Sequence, residues 1–217
     1  MPTEEGTGRS IGDGDPSGDA GGLPPPPANL HERELPLMTG TAAQGPWARM
    51  HPRGLHPVFF GTTGDGRFDD PLREYGVLYA AEDEYGAFIE SFGRVPGRNL
   101  VSWEKLRSRP LAELEADEPL RLVDLTGSGL ARIGATSEIF SGDYAQEWSR
   151  ALHGHPKKPD GLRYRLKHDP DRIGVAIFGR AEGLIRSRAA GTLLGAGRRK
   201  LLAAILNEYR FGLVGGP

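Results

Sequence analysis

No cysteine occurs among the 217 residues. That absence excludes disulfides, thiolate nucleophiles and every metal site built on thiolate ligands. Long apolar runs are missing too. The longest near the C-terminus, Leu201 to Leu206, is far too short to cross a bilayer. The chain opens on acidic and Gly-rich residues, not on a basic segment followed by an apolar one, so the expectation is cytoplasmic residence without a membrane segment. Charge of one sign is not in excess: the formal net charge is −2, and no basic stripe with interleaved aromatics argues for direct nucleic-acid binding. Common catalytic motifs are lacking as well. Gly191 to Gly197 is Gly-rich, but it has neither a strand before it nor the Lys-Ser/Thr of a phosphate-binding loop after it. Thr126-Gly127-Ser128-Gly129 has the wrong spacing for a nucleophile elbow. His51 and His56 stand among prolines with no carboxylate-rich partner set, so no metal is expected.

What is present fits one folded domain behind a tail. Residues 1–34 are dominated by Gly, Asp, Ser and a Pro24–Pro27 run, with too little apolar surface to offset their ordering entropy. We expect a disordered tail there and a domain over residues 35–217. Trp47–Met50, Val58–Phe60 and Val77–Tyr79 read as strands. Tyr85, Phe88, Ile89 and Phe92 recur at i, i+3, i+4 and i+7, which is one apolar helix face, and Gly93 follows as a stop. Trp103 to Leu114 reads as a helix broken at Pro110, and the acids between Glu113 and Glu118 as its solvated end. A strand is expected over Leu120–Leu125. A capping box of Asp143 and Gln146 opens a helix that buries Tyr144, Trp148, Ala151 and Leu152. Leu162, Tyr164 and Leu166 alternate with basic residues, Gly174–Phe178 is continuously apolar, and Arg198–Tyr209 is a last helix. Strands and helices alternate irregularly, which favours an α+β fold over a doubly wound parallel sheet.

The chemistry-bearing residues concentrate in Arg49, Arg67, Tyr79 and Glu90. Glu90 follows the buried Ile89 and so lies at the border of an apolar helix face, where a carboxylate needs a partner or a role. An arginine pair suits a pyrophosphate, because guanidinium binds phosphate oxygens in a bidentate way. A tyrosine ring can stack on a flat base. A carboxylate can orient a ribose hydroxyl and stabilise an oxocarbenium-like transition state. Together they suit cleavage of the N-glycosidic bond of NAD. The same residues also allow a structural reading, in which Arg67 pairs with Asp69 or Asp70, Tyr79 is a core aromatic and Glu90 a surface acid.

The order and spacing of several segments resemble the RES-domain family, whose members are toxins of toxin–antitoxin pairs related in fold to ADP-ribosyltransferases. The resemblance runs from about Trp47 to Phe178. It rests on Arg49, His56-Pro57, Gly66-Arg67-Phe68-Asp69-Asp70-Pro71, Tyr75-Gly76-Val77-Leu78-Tyr79 and Ala87-Phe88-Ile89-Glu90. It continues through Val123-Asp124-Leu125, Gly142-Asp143-Tyr144, Gly161-Leu162-Arg163-Tyr164, His168-Asp169-Pro170 and Val175-Ala176-Ile177-Phe178. It implies an ADP-ribosyltransferase-like arrangement of mixed sheets with flanking helices. It also implies an enzyme that takes NAD as substrate and splits its nicotinamide–ribose bond by hydrolysis, phosphorolysis or ADP-ribosyl transfer. Arg49 and Arg67 would bind the NAD phosphates, Tyr79 would pack on the nicotinamide side, His56 would line the pocket or cap a turn, and Glu90 would act at the ribose. The implied partner is an Xre-like antitoxin that plugs the pocket, carries the DNA contacts and forms one oligomer with this chain. One position departs: the family strand Tyr-x-Ser-Arg-His reads Tyr164-Arg165-Leu166-Lys167-His168 here, and Leu166 cannot donate a hydrogen bond. A non-catalytic NAD- or partner-binding relative, and a binding module without a nucleotide, are the alternatives.

Overall fold

The computed structural model describes residues 25–38, 40–93, 97, 99–140 and 144–216 as a mixed α+β fold. The strands are β1 (Trp47–Met50), β2 (Val77–Ala81), β3 (Leu100–Ser102), β4 (Leu111–Ala116), β5 (Leu122–Asp124), β6 (Gly161–Arg165), β7 (Ile173–Phe178), β8 (Ile185–Ala189) and β9 (Gly212–Val214). The helices are α1 (Glu84–Phe92), α2 (Trp103–Arg107), α3 (Gly129–Ile133), α4 (Tyr144–His153) and α5 (Arg199–Glu208). One sheet has the order β5-β6-β7-β2-β1-β4-β8, in which only the β5–β6 pairing is parallel, and β3 pairs with β9 in a small parallel sheet. None of the described helices is long and apolar enough to cross a membrane.

The large sheet is buried on both faces, and this explains the unbroken apolar run of β7. Ala176 and Phe178 join Val77 and Ala81 in a core with Phe88, Trp148 and Ile205 from the helices. Val175 and Ile177 face the other way, with Leu78, Trp47 and Leu114, and are covered by turns and loops that include Val58 and Phe60. A strand buried on both sides reads as apolar throughout, not as alternating. Helix α1 forms where its apolar period places it. Asp83 caps it by accepting from the Gly86 amide at 2.7 Å. Phe88 is fully buried, which contributes about 2–3 kcal/mol by area.

The packed chain starts earlier than composition suggests. Leu30 and Leu35 are both buried, and Arg33 donates to the Ile133 carbonyl at 2.9 Å, so packing against the domain reaches a few residues before position 35. The rest of the expected tail, residues 1–24, lies outside the described residues, as does Asp143 of the expected capping box.

Three expectations are corrected. Val58–Phe60 is not a strand; Gly61 makes a lone bridge to Val77, and the preceding prolines hold the segment irregular. The helix expected over Trp103–Leu114 ends at Arg107, and after Pro110 the chain enters β4. Leu114 is therefore a sheet residue, not a helix residue. The acids between Glu113 and Glu118 are largely solvated, as expected, but on a strand and the turn after it, not on a helix end: Glu113 and Glu115 lie opposite Arg188 and Arg186 in the β4–β8 register, Glu113 pairs with Arg188, and Arg186 pairs with Asp117. Cross-strand pairs of opposite charge stabilise such an edge.

Candidate functional site

β1 and β2 are paired at one position only, Ala48 opposite Ala81, and they part beyond it. The opening is filled by Arg49, whose guanidinium donates to the Tyr79 and Phe59 carbonyls. A backbone acceptor that a neighbouring strand would ordinarily satisfy is thus met by a side chain. Over this split lies a cavity of about 370 Å³, within the range of small-molecule sites. Arg49, Arg67, Tyr79 and Glu90 all line it. His56 does not: it sits in an exposed loop and accepts the Val58 amide at 3.1 Å, so it caps its own turn.

Arg67 reaches the cavity on the loop before β2, and that loop is held from two sides. From the sheet, the Tyr79 hydroxyl donates to Asp69 Oδ1 at 2.8 Å and accepts the Phe68 amide at 2.9 Å, while Asp69 Oδ2 accepts the Gly66 amide at 2.9 Å. Burial, and then the Asp69 charge, push the Tyr79 hydroxyl well above the usual tyrosine value, so it remains a donor. Gly66 is required by this packing: a Cβ there would stand 2.4 Å from Asp69 Oδ1 and 2.6 Å from the Tyr79 oxygen. From the helix layer, Gln146, Ser149 and Arg150 share one face of α4 by their i, i+3, i+4 spacing. Gln146 donates to the Gly64 and Gly66 carbonyls at 2.7 and 2.9 Å, and Ser149 to the Phe68 carbonyl at 2.7 Å. Arg150 grips Asp70 at 2.7 Å and Glu74 at 2.6 Å.

These contacts settle the structural alternative for Arg67. Asp69 accepts from Tyr79 and Asp70 pairs with Arg150, and among the described residues neither makes an ion pair with Arg67. Arg67 instead approaches Glu90 on α1, Nη2 to Oε1 at 3.9 Å, and stands over the Tyr164 ring at 5.5 Å from its centroid. One of its terminal nitrogens, Nη1, is buried with no hydrogen-bond partner among the described residues, as is Nε of Arg49. Glu90 is partly buried, as its border position predicted, with its side chain 30% exposed.

Asp70 gives a test of the loop clamp. Burial alone would raise its carboxyl. The hydrogen bonds from Arg150 and from the Glu74 and Leu72 amides, with the Arg150 charge, outweigh that and hold it below the usual carboxylate value. A depressed folded value means that the stability is present above the unfolded value of 3.8 and is lost as pH falls through the folded one. Asp70→Ala is expected to cost about 2 kcal/mol, discounted because the partly exposed Arg150 can turn to water, and to flatten the acid limb of stability against pH. Urea melts between pH 3 and 7 check this; an unchanged acid limb would remove Asp70 from the clamp.

Lys105 on α2, Arg109 just beyond it, and Tyr164 on β6 also line the cavity. The alternation with Leu162 placed Tyr164 inward; nothing in the sequence placed Lys105 and Arg109 there. Burial, and then the Arg109 charge, push Arg49 down to about 10, which leaves it charged at neutral pH. Four cations thus face one carboxylate. Among the described residues neither Arg49, Lys105 nor Arg109 has an ion-pair partner. Such a lining is suited electrostatically to a negatively charged group. Leu166 is not part of its lining; it is buried in the core, 2% exposed.

Comparison with known proteins gives a family and a shared fold. The RES domain family model matches residues 42–194, which include every cavity-lining residue. A curated relative, "Probable toxin y4kH" of Sinorhizobium fredii strain NGR234, is 30% identical over 113 residues, covering 51% of this chain and 87% of that protein. A chain in the crystal structure of the M. tuberculosis MbcT–MbcA toxin–antitoxin complex shares the fold, with a TM-score of 0.59 at 15% identity over 82% of this chain and 98% of that one.

Proposed function

The chain belongs to the RES domain family, and from that premise we propose that it is an NAD-consuming toxin that cleaves the nicotinamide–ribose bond and is restrained by an antitoxin protein. The observation that carries the reading is the cavity itself, where the Arg67–Glu90 pair and the uncompensated charge of Arg49 meet in about 370 Å³. In this reading Arg49 and Arg67 hold the pyrophosphate. The Tyr79 ring supports the nicotinamide side while its hydroxyl fixes the Arg67 loop. The Glu90 carboxylate orients a ribose hydroxyl and faces the positive charge that develops at the anomeric carbon. The C–N bond breaks with its electron pair going to nicotinamide, which leaves neutral. An acceptor oxygen then bonds to that carbon, and when the acceptor is water its proton passes to solvent. No metal is required for this chemistry.

The partner proposal is an Xre-like antitoxin, which would carry the DNA contacts, with both proteins in the cytoplasm. What supports an antitoxin partner, though not its type, is the name of the curated relative and the toxin–antitoxin complex one of whose chains shares the fold. The test is direct. The purified chain is incubated with NAD and nicotinamide is measured. Release is expected, and separating ADP-ribose, its 1″-phosphate and a modified protein identifies the acceptor. Leu166 favours a second reading, a protein that binds NAD or its partner without catalysis. That reading is selected if NAD raises the melting temperature while no nicotinamide appears.

A further inference from the structure

The cavity is ordered along the sheet. Tyr164 belongs to β6 and Arg67 lies over its ring; Arg109 immediately precedes β4, beyond β1, and Lys105 stands on the preceding helix. Glu90 on α1 meets Arg67, the cation that lies over the Tyr164 ring. The charge that acts on Arg49 comes from the β4 side, from Arg109. If Glu90 marks the nicotinamide ribose and Arg49 the pyrophosphate, a dinucleotide laid through the cavity brings its adenosine half to Lys105 and Arg109. No carboxylate pairs with either cation among the described residues. A neutral adenosine ribose offers these cations only hydroxyl acceptors, whereas a phosphate monoester there gives both a charge-assisted contact. An incoming acceptor phosphate would have to stand at the Glu90 end, where the glycosidic bond is, and so does not account for them.

We infer that Lys105 and Arg109 form a second phosphate subsite, which selects a dinucleotide carrying an extra phosphate on its adenosine ribose, the chemistry of NADP. This rests on the NAD reading of the cavity. The subsite determines specificity and takes no part in bond cleavage.

The test measures binding, in the Glu90→Gln protein so that turnover does not intervene, by calorimetry with NAD and with NADP. NADP is expected to bind more tightly than NAD. The ratio of the two dissociation constants should fall by about tenfold or more in Lys105→Gln/Arg109→Gln, in line with the loss of one or two charge-assisted hydrogen bonds. Each single variant should show part of that fall, which guards against a folding defect of the double variant. A ratio that stays constant while both affinities drop together would assign these cations to the shared pyrophosphate and overturn the inference. Inorganic phosphate that binds alongside NAD, and is lost in Arg109→Gln, would assign the subsite to free phosphate and overturn the substrate class. NAD that binds without any effect of these variants refutes only the subsite. Failure of both dinucleotides to bind refutes the NAD reading as well.

Discussion

Glu90→Gln should reduce nicotinamide release from NAD by about a hundredfold or more while leaving NAD binding close to that of the parent. The substitution keeps the volume and hydrogen-bonding reach of the side chain and removes only the charge. In the bound ground state of the proposed complex that charge would have little to do, because the pyrophosphate would be held by guanidinium groups on β1 and on the loop before β2. As the glycosidic bond breaks, positive charge builds on the ribose, and a carboxylate fixed in a partly closed cavity then interacts far more strongly than it does in water. The expected signature is therefore a fall in kcat with little change in KM, because the interaction is made mainly in the transition state. Arg67 supplies the contrast. It faces Glu90 at 3.9 Å and is proposed to hold the pyrophosphate as well, so Arg67→Gln should raise KM as well as lower kcat. The side chain of Glu90 is 30% exposed, so the protein should fold normally with Gln there, and its melting temperature checks that it does. Release that persists unchanged in Glu90→Gln would remove the charge from the mechanism.

The elements that the sequence made legible are those whose information is local. β1, β2, α1, α4, β6, β7 and α5 follow from alternation, helical period or an apolar run, and each stands where that pattern put it. β4 was misread because its evidence is remote. Glu113 and Glu115 look solvated in a linear reading, and only the pairing with Arg186 and Arg188 of β8, some seventy residues later, makes a strand of them. The site divides in the same way. Arg49, Arg67, Tyr79 and Glu90 carry their chemistry in their residue types, and they line one cavity. What residue type did not reveal is that the Tyr79 hydroxyl is committed to the Arg67 loop, and that Gln146, Ser149 and Arg150 hold the loop from α4. The contacts from α4 join residues about eighty positions apart. Lys105 and Arg109 escaped for a third reason: in a segment read as one long helix, a surface lysine and an arginine beside a proline carry no signal of their own.

Leu166→Ser, which restores the residue expected from the family pattern, should destabilise the protein by about 3 kcal/mol. Leu166 is 2% exposed and belongs to the helix-side core. Two glycines make room for it. A Cβ on Gly86 would come within 3.0 Å of its Cδ1, and one on Gly174 within 2.6 Å of its Cδ2. Serine would leave those spaces empty and would bury a hydroxyl. In the family pattern a small hydroxyl residue serves the site at this position. Here the same position is absorbed into the packing of α1 against β7, and the cavity is lined by Tyr164 two residues earlier. The packing account makes a coupled forecast. Gly174→Ala should cost less stability in the Leu166→Ser background than in the parent, because the nearest clash is then gone, although Tyr164 remains close at 2.9 Å. Denaturant melts of the two single variants and the double variant measure that coupling, and strict additivity would defeat the account. The same proteins, assayed for nicotinamide release well below their melting temperatures, separate fold from chemistry. A rise in rate in Leu166→Ser despite its lower stability would mean that the departure costs activity. An unchanged rate would mean that the cations and Glu90 suffice without the hydroxyl, and that the leucine serves the core alone.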